Sequence, residues 1–247
     1  MKKSVCSILC FLLLLLCIGC NTVEKPDDSN SVDLPDAPTS WRLAKQTMVQ
    51  NGNTTVTTFA YNDSGRQISY ETSANGVINS TVELGYDANG YKNYEKSTAA
   101  SGVITEFFLT NDDQGRIVSQ RTVTTFKGNS SESVSEFEYT DEHGSFVQTF
   151  VSGASKGNTV TVTKDEHGNE LTHITSNGTS MRYENKYEGT LLVEKITTRS
   201  TSLGTAVTKT VYEYDDNGNN VKTTSYDELG NVSLTYLYEY TPFNDSQ

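Results

Sequence analysis

The chain has 247 residues, with 31 acidic against 19 basic side chains and a net charge of −12 at pH 7. That sign excludes nucleic acid as a partner, because binding phosphates requires a positive surface, and it leaves anionic headgroups unable to hold the folded part by charge. Hydrophobic residues make up only 34% of the sequence, so the core must be thin, and 14 tyrosines and 9 phenylalanines partly compensate by burying more area each.

Lys2 and Lys3 precede an apolar run from Val5 to Ile18 and then Gly19 and Cys20, the order of regions in a secretory signal. The run is shorter than the roughly 18 to 20 apolar residues that cross a bilayer. All four cysteines, Cys6, Cys10, Cys17 and Cys20, lie in this leader. A chain cut before Cys20 keeps one thiol and forms no internal disulfide. Loss of Lys2 and Lys3 leaves 17 basic against 31 acidic residues, a net charge of −14. The junction Cys17-Ile18-Gly19-Cys20 resembles the lipobox of bacterial lipoproteins, with Cys17 where that family usually has Leu. The resemblance implies a signal peptide over residues 1–19 and lipidation of the Cys20 thiol. It also implies stable anchoring to the membrane by three acyl chains in a Gram-negative host. Asn21 is not the aspartate that retains such proteins at the inner membrane, which implies the outer membrane, with the protein facing the periplasm or the surface.

Residues 20–40 carry Pro26, Pro35 and Pro38 and the acids Glu24, Asp27, Asp28, Asp33 and Asp36 among small polar side chains. So little apolar surface reads as a disordered, extended tether. Residues 41–247 form the folded part, and their informative feature is repetition. One series of turns is acidic or Asn-rich and ends in glycine at Gly65, Gly90, Gly115, Gly144, Gly168 and Gly218, with Tyr187-Glu188-Gly189 as a degenerate copy. A second series falls midway, at Gly52, Gly76, Gly102, Gly128, Gly157, Gly178, Gly204 and Gly230. Each period of about 25 residues therefore holds two turns and two connecting segments. Segments such as Thr54 to Tyr61, Ser80 to Tyr86, Ser133 to Tyr139, Thr205 to Tyr214 and Val232 to Tyr240 are dense in Val, Thr, Tyr and Phe. Their period-two alternation predicts strands joined as antiparallel hairpins. Trp41, the only tryptophan, precedes the first strand and is expected to cap an end by packing.

The stretch Tyr212-Glu213-Tyr214-Asp215-Asp216-Asn217-Gly218-Asn219 resembles the YD repeat of Rhs-type bacterial proteins, as do Phe59 to Arg66, Leu84 to Gly90, Leu109 to Arg116 and Tyr226 to Asn231. The copies at Gly144 and Gly168 have Thr140 and Lys164 where the tyrosine is expected. Members of that family wrap a shell around a cargo with long arrays, and seven or eight periods are too few for that job. The expected fold is all-β: an antiparallel hairpin meander of about fifteen strands forming one long curled sheet, as an open or closed barrel with an aromatic-lined face inside.

Turns rich in Asp and Asn invite a calcium reading, with Asp112, Asp113, Asp215 and Asp216 the first sites to test, although turn chemistry already explains them. No metal or other cofactor is therefore expected. His143 and His167 occupy equivalent turn positions, and with His173 they read as products of duplication rather than as a converging site. No nucleophile elbow, zinc-protease helix or phosphate-cradling loop occurs, so an enzyme is not expected. Strand tyrosines, above all Tyr212, Tyr214, Tyr236 and Tyr238, serve core packing or form a stacking surface for sugar rings. Leu234, Tyr236, Tyr238 and Tyr240 share one face, with Leu237 on the other. The leading reading is a lipid-anchored, non-enzymatic envelope protein whose repeats bind a glycan or protein. Its rivals are a structural or accessory component of an envelope assembly or secretion-linked system, with the sheet as a spacer or edge-pairing module, and then an unrecognised hydrolase.

Overall fold

The computed structural model describes residues 40–243. The signal peptide, Cys20 and the tether lie outside the described residues. Sixteen strands follow one another: β1 (Ser40–Gln50), β2 (Asn53–Tyr61), β3 (Gln67–Ala74), β4 (Val77–Tyr86), β5 (Lys92–Ala99), β6 (Ile104–Asn111), β7 (Ile117–Phe126) and β8 (Asn129–Tyr139). The second half is β9 (Phe146–Phe150), β10 (Thr159–Lys164), β11 (Glu170–Thr175), β12 (Ser180–Glu188), β13 (Leu191–Thr201), β14 (Gly204–Tyr214), β15 (Asn220–Tyr226) and β16 (Val232–Phe243). Every strand pairs antiparallel with its chain neighbours, and β1 pairs with β16, so the meander closes into a barrel. Trp41 lies within β1 opposite Pro242, not ahead of the first strand as expected.

The two turn series fall at opposite ends. The first and last described residues, Ser40 and Phe243, sit at the end carrying the acidic turns, here called the terminal rim; the other is the far rim. Most terminal-rim turns follow one scheme, which the far-rim turns at Gly102, Gly178 and Gly230 share. Asn62 N–H donates to Arg66 O and Gly65 N–H to Asn62 O, both at 2.9 Å, and Gly65 takes φ 78°. A type I turn with a left-handed third residue forms a bulge in this way. Accordingly the register slips beside the terminal rim at Ala60/Tyr61, Gly85/Tyr86, Thr110/Asn111, Thr163/Lys164, Lys186/Tyr187 and Glu213/Tyr214, and beside the far rim only at Thr72/Ser73 and Ser225/Tyr226. At the far rim Asn51-Gly52, Asn75-Gly76 and Lys127-Gly128 hold two consecutive positive φ angles, the backbone of the two-residue hairpin turn.

Alternation separates the two walls. Along β12, Tyr183 is buried and Asn185 and Tyr187 are half-buried, while Arg182, Glu184, Lys186 and Glu188 are exposed. The ladder registers carry this parity around the ring, so the aromatic face is the concave inner wall and the charged face the convex outer wall. Cross-strand ion pairs ornament the outside: Lys45–Glu239 at 2.6 Å, Lys222–Glu213 at 2.7 Å, Arg121–Glu132 at 3.2 Å and Lys209–Glu194 at 3.4 Å. A lipid-facing wall would hold such charges at a cost of about 2–4 kcal/mol for each Lys or Arg near the bilayer midplane. This outer wall is therefore built for water. Among the described residues only Val82, Val162 and Tyr183 are buried large hydrophobics, which is the thin core expected from composition. Each strand touches only its two ladder neighbours, and sixteen strands is a size that leaves an aqueous channel. The barrel is hollow.

Candidate functional site in the barrel lumen

The inner wall is organised in layers. Nearest the terminal rim lies a ring of tyrosines, one at the end of most even-numbered strands. Their hydroxyls donate to backbone carbonyls: Tyr61 to Leu43 at 2.8 Å, Tyr86 to Gln67 at 2.7 Å, Tyr139 to Ile117 at 3.2 Å, Tyr214 to Leu192 at 2.8 Å and Tyr240 to Asn220 at 3.0 Å. Each accepting residue immediately precedes the residue extruded by a bulge, where the ladder is interrupted. The hydroxyl satisfies that carbonyl and ties one hairpin to the previous one. Where the repeat has Asn111 instead of tyrosine, the Asn111 amide donates to Lys92 O at 3.0 Å and does the same job. Arginines cover the outer members of the ring: Arg42, Arg66 and Arg116 lie 5.4, 4.9 and 4.5 Å from the ring centres of Tyr61, Tyr86 and Tyr139. The Arg42 guanidinium lies over Gly65, whose φ of 78° is what requires a glycine there. The copy at Gly144 does contain its tyrosine. Its turn is one residue longer, with Thr140 N–H bonded to Ser145 O, so Tyr139 takes the position assigned to Thr140 by spacing.

One layer further in, Tyr212 on β14 and Tyr236 and Tyr238 on β16 face the lumen on either side of Thr223, which pairs with both Tyr212 and Tyr236. The Tyr236 and Tyr238 rings stack at 6.2 Å and 26°. Burial raises the hydroxyl pKa of Tyr212, with the neighbouring Tyr214 and Tyr238 adding to it, and burial alone raises that of Tyr236. The four sequence-predicted tyrosines thus divide by task. Tyr214 is committed to the Leu192 carbonyl, whereas Tyr212, Tyr236 and Tyr238 present ring surface to the lumen.

Beside them, on β10 to β13, the repeat breaks its own rule. Glu170 O precedes a bulge, but Asn185 caps it at 3.1 Å and also reaches Asp165 Oδ2 at 3.0 Å. The Tyr187 hydroxyl turns to the same Asp165 oxygen and accepts from Asn169 Nδ2 at 2.8 Å. Burial opposes ionisation of Asp165, but the bonds from Tyr187 and Asn185 outweigh it and hold the carboxyl below its ordinary range. Asn185 Oδ1 is buried with no partner among the described residues. Lys195, opposite Asn185 and Thr210 in the ladders, stands 5.3 Å from the Tyr183 ring centre. Burial lowers the Lys195 pKa, and the nearby Glu170 and Asp165 oppose that shift. Of these residues the sequence singled out Tyr187, in the degenerate turn, and missed Lys195, Glu170 and Asn185. Their only signal was period-two parity, which puts Lys195 on the face of Thr197 and Arg199.

The calcium candidates sit in terminal-rim turns, where their carboxylates close the turn. Asp112 Oδ1 accepts from the N–H groups of Gln114 and Arg116, both at 2.9 Å, and Oδ2 from Arg116 Nε at 2.7 Å. Asp215 Oδ1 accepts from Asn217 and Asn219 at 3.0 and 2.8 Å, and Oδ2 from Asn219 Nδ2 at 3.0 Å. Asp113 and Asp216 occupy the exposed tips. His143 and His167 lie in terminal-rim turns, the latter 4.3 Å from the Tyr187 ring, while His173 faces inward opposite Val162 and Met181.

No protein-family model matches the chain, and no curated protein does. Among solved structures, a porin-like protein from Bacteroides uniformis superposes with a TM-score of 0.50 at 12% identity, covering 81% of this chain and 98% of that one. A porin-like protein from Bacteroides vulgatus gives a TM-score of 0.52 at 11% identity, covering 81% and 99%. The TcdB2-TccC3 complex aligns with 72% of this chain and 11% of that one, at 17% identity and a TM-score of 0.28. What the chain shares with the two porin-like proteins is the fold.

Proposed function

We propose that this chain is a non-enzymatic protein of the cell envelope, anchored at the outer membrane by lipid on Cys20, whose barrel lumen binds a saccharide. The observation that carries this reading is the inner wall, where Tyr212, Tyr236 and Tyr238 adjoin Lys195, Glu170 and Asn185 on one concave surface. A sugar ring offers an apolar C–H face and a rim of hydroxyls. The tyrosines supply platforms for the face, and the ammonium, carboxylate and amide supply donors and acceptors for the rim. Ligand sites combine apolar lining and a few placed polar groups in this way. The repeats read as YD-type hairpins, supported by the recurring tyrosine that seals the carbonyl beside each bulge. The porin-like fold of the two Bacteroides proteins supports an envelope location, while the charged outer wall favours a barrel in water over one that spans lipid. The edge-pairing rival loses its basis, because closure of β1 on β16 leaves no free strand edge.

The test is a saccharide panel titrated against the unlipidated chain from Asn21 to Gln247. Saturable binding is expected, weakened about tenfold or more by Tyr212→Ala with Tyr238→Ala. Absence of any saturable ligand, or binding indifferent to both changes, would sink the lumen reading. The anchor is checked separately, by incorporation of labelled palmitate into the wild type and not into Cys20→Ser.

A further inference from the structure

We propose that the far rim of the barrel docks on a lipid surface, its ring of apolar turn tips entering the interface while the terminal rim points away. Twelve large hydrophobic side chains are exposed among the described residues. Nine of them lie in far-rim turns or within four residues of one, and only Ile68, Leu171 and Leu237 lie elsewhere. Leu203 and Leu229 crown two tips at 97% and 86% exposure, and Val77 and Val232 beside their turns reach 66% and 59%. Val207, Ile174 and Val49 continue the set on the outer wall, at positions paired with Thr198, Ser180 and Thr54. The result is a collar around one end, not a patch on one side. It is one or two residues deep before charge begins at Glu132, Arg182 and Lys209. Outward-facing residues recur every second position, about 7 Å apart at 3.4 Å per residue, a step within the roughly 5–10 Å by which interfacial elements enter the headgroup and acyl boundary.

Charge selects the same end. Terminal-rim turns hold ten acids (Asp63, Asp87, Asp112, Asp113, Asp141, Glu142, Asp165, Glu166, Asp215, Asp216) and two arginines (Arg66, Arg116), a net −8. Far-rim turns hold Asp227 and Glu228 against Lys127 and Lys156, a net of zero. An anionic bilayer therefore repels one end and tolerates the other, and the apolar tips supply the attraction that charge does not. Chain length permits this pose with the proposed anchor. The twenty residues from Cys20 to Ser40 span about 60 Å when extended, and strands of eleven or twelve residues rise about 40 Å. A tether entering at the terminal rim can thus reach the membrane on which the far rim stands. The docking surface itself requires neither the lipid on Cys20 nor a ligand in the lumen.

The experiment uses the unlipidated chain from Asn21 to Gln247, which keeps the whole closed ladder, and vesicles of phosphatidylethanolamine with phosphatidylglycerol. Co-sedimentation is expected, and Leu203→Glu with Leu229→Glu should reduce partitioning about tenfold or more. Both side chains are exposed, so the urea melting midpoint should not change. Depth is read with brominated lipid: in a Trp41→Phe background the indole introduced by Leu203→Trp should be quenched, and the native Trp41 at the terminal rim should not. No partitioning, partitioning unaffected by the two glutamates, or stronger quenching of Trp41 would each overturn the proposal. So would a lipid-free dimer abolished by the same glutamates in a chain that ignores vesicles, since the occupant would then be a second copy.

Discussion

The two ends of this barrel are made by the same repeats and differ in almost every physical respect. At the terminal rim the bulges recur in register, tyrosine hydroxyls seal the carbonyls beside them, arginines lie over the tyrosine rings and aspartates knit the turns. The far rim mixes two-residue turns with turns of the terminal-rim scheme, carries apolar tips and has no comparable ring of tyrosine locks among the described residues. The recurring motif, aromatic-x-Tyr-Asp-x-x-Gly, thus builds most of one end of the structure, with the copy at Tyr226 to Asn231 on the other. A thin-cored barrel cannot rely on burial for rigidity, so hydrogen bonds at one rim define the ring, and the opposite rim is free to carry tips chosen for contact.

Acid should break this difference most completely. Asp112, Asp141, Asp165 and Asp215 at the terminal rim all titrate below the ordinary carboxylate range because turn N–H groups and neighbouring side chains bond their ionised forms. Asp227 is the far-rim counterpart. A depressed folded pKa contributes stability that is complete above the unfolded value of about 3.9 and is lost as pH falls through the folded one. Hydrogen exchange, corrected for intrinsic rates, should therefore show terminal-rim amides losing protection below about pH 4, ahead of Asn51-Gly52 and Asn75-Gly76. Equal loss at both rims would show that the aspartates do not set the contrast.

Single hydroxyls test the lock with a smaller effect. Tyr214→Phe leaves the Leu192 carbonyl without its donor, at a cost of about 1–2 kcal/mol. Tyr212→Phe, one layer deeper and facing the lumen, should stay within about 0.5 kcal/mol. Urea melts with unchanged slope distinguish the two. Matching losses would mean that ring packing, not the hydroxyl, holds the terminal rim.

Sequence made the even-numbered strands plain and the odd ones obscure, and the reason is physical. Segments such as Ser133 to Tyr139 alternate aromatic with acid because one face packs inside the ring and the other meets water. In β5 (KNYEKSTA) and β3 (QISYETSA) the inner positions hold Glu95, Ser97 and Thr72, polar groups that line a wet lumen and leave no apolar period to read. Those strands could be inferred only from turn spacing. Closure was allowed by the sequence but not fixed, since β1 and β16 meet across 203 residues, as in the 3.3 Å bond from Ser40 Oγ to Phe243 O. The lumen tyrosines were visible as types at a regular parity. Lys195, Glu170 and Asn185 were not, because a lone polar residue on a strand has no signature until the register shows what stands beside it.

The smallest expected effect concerns that closing seam. Lys45 and Glu239 face each other across β1 and β16 at 2.6 Å with side chains 38% and 61% exposed, so water screens them. Nine residue pairs of ladder already join the two strands. Glu239→Gln should therefore cost only about 0.2–1 kcal/mol, shrinking further in salt. The rims predict where the loosening appears. At the Leu43 end the Tyr61 hydroxyl holds β1 to β2, the Tyr240 hydroxyl holds β16 to β15, and Ser40 Oγ donates to Phe243 O across the seam, whereas near Val49 the seam has the ladder alone. Exchange in Glu239→Gln should thus quicken at Val49 and Thr235 while Leu43 stays protected. Opening from the Leu43 end instead would make the ion pair, and not the tyrosine locks, the fastener of the ring.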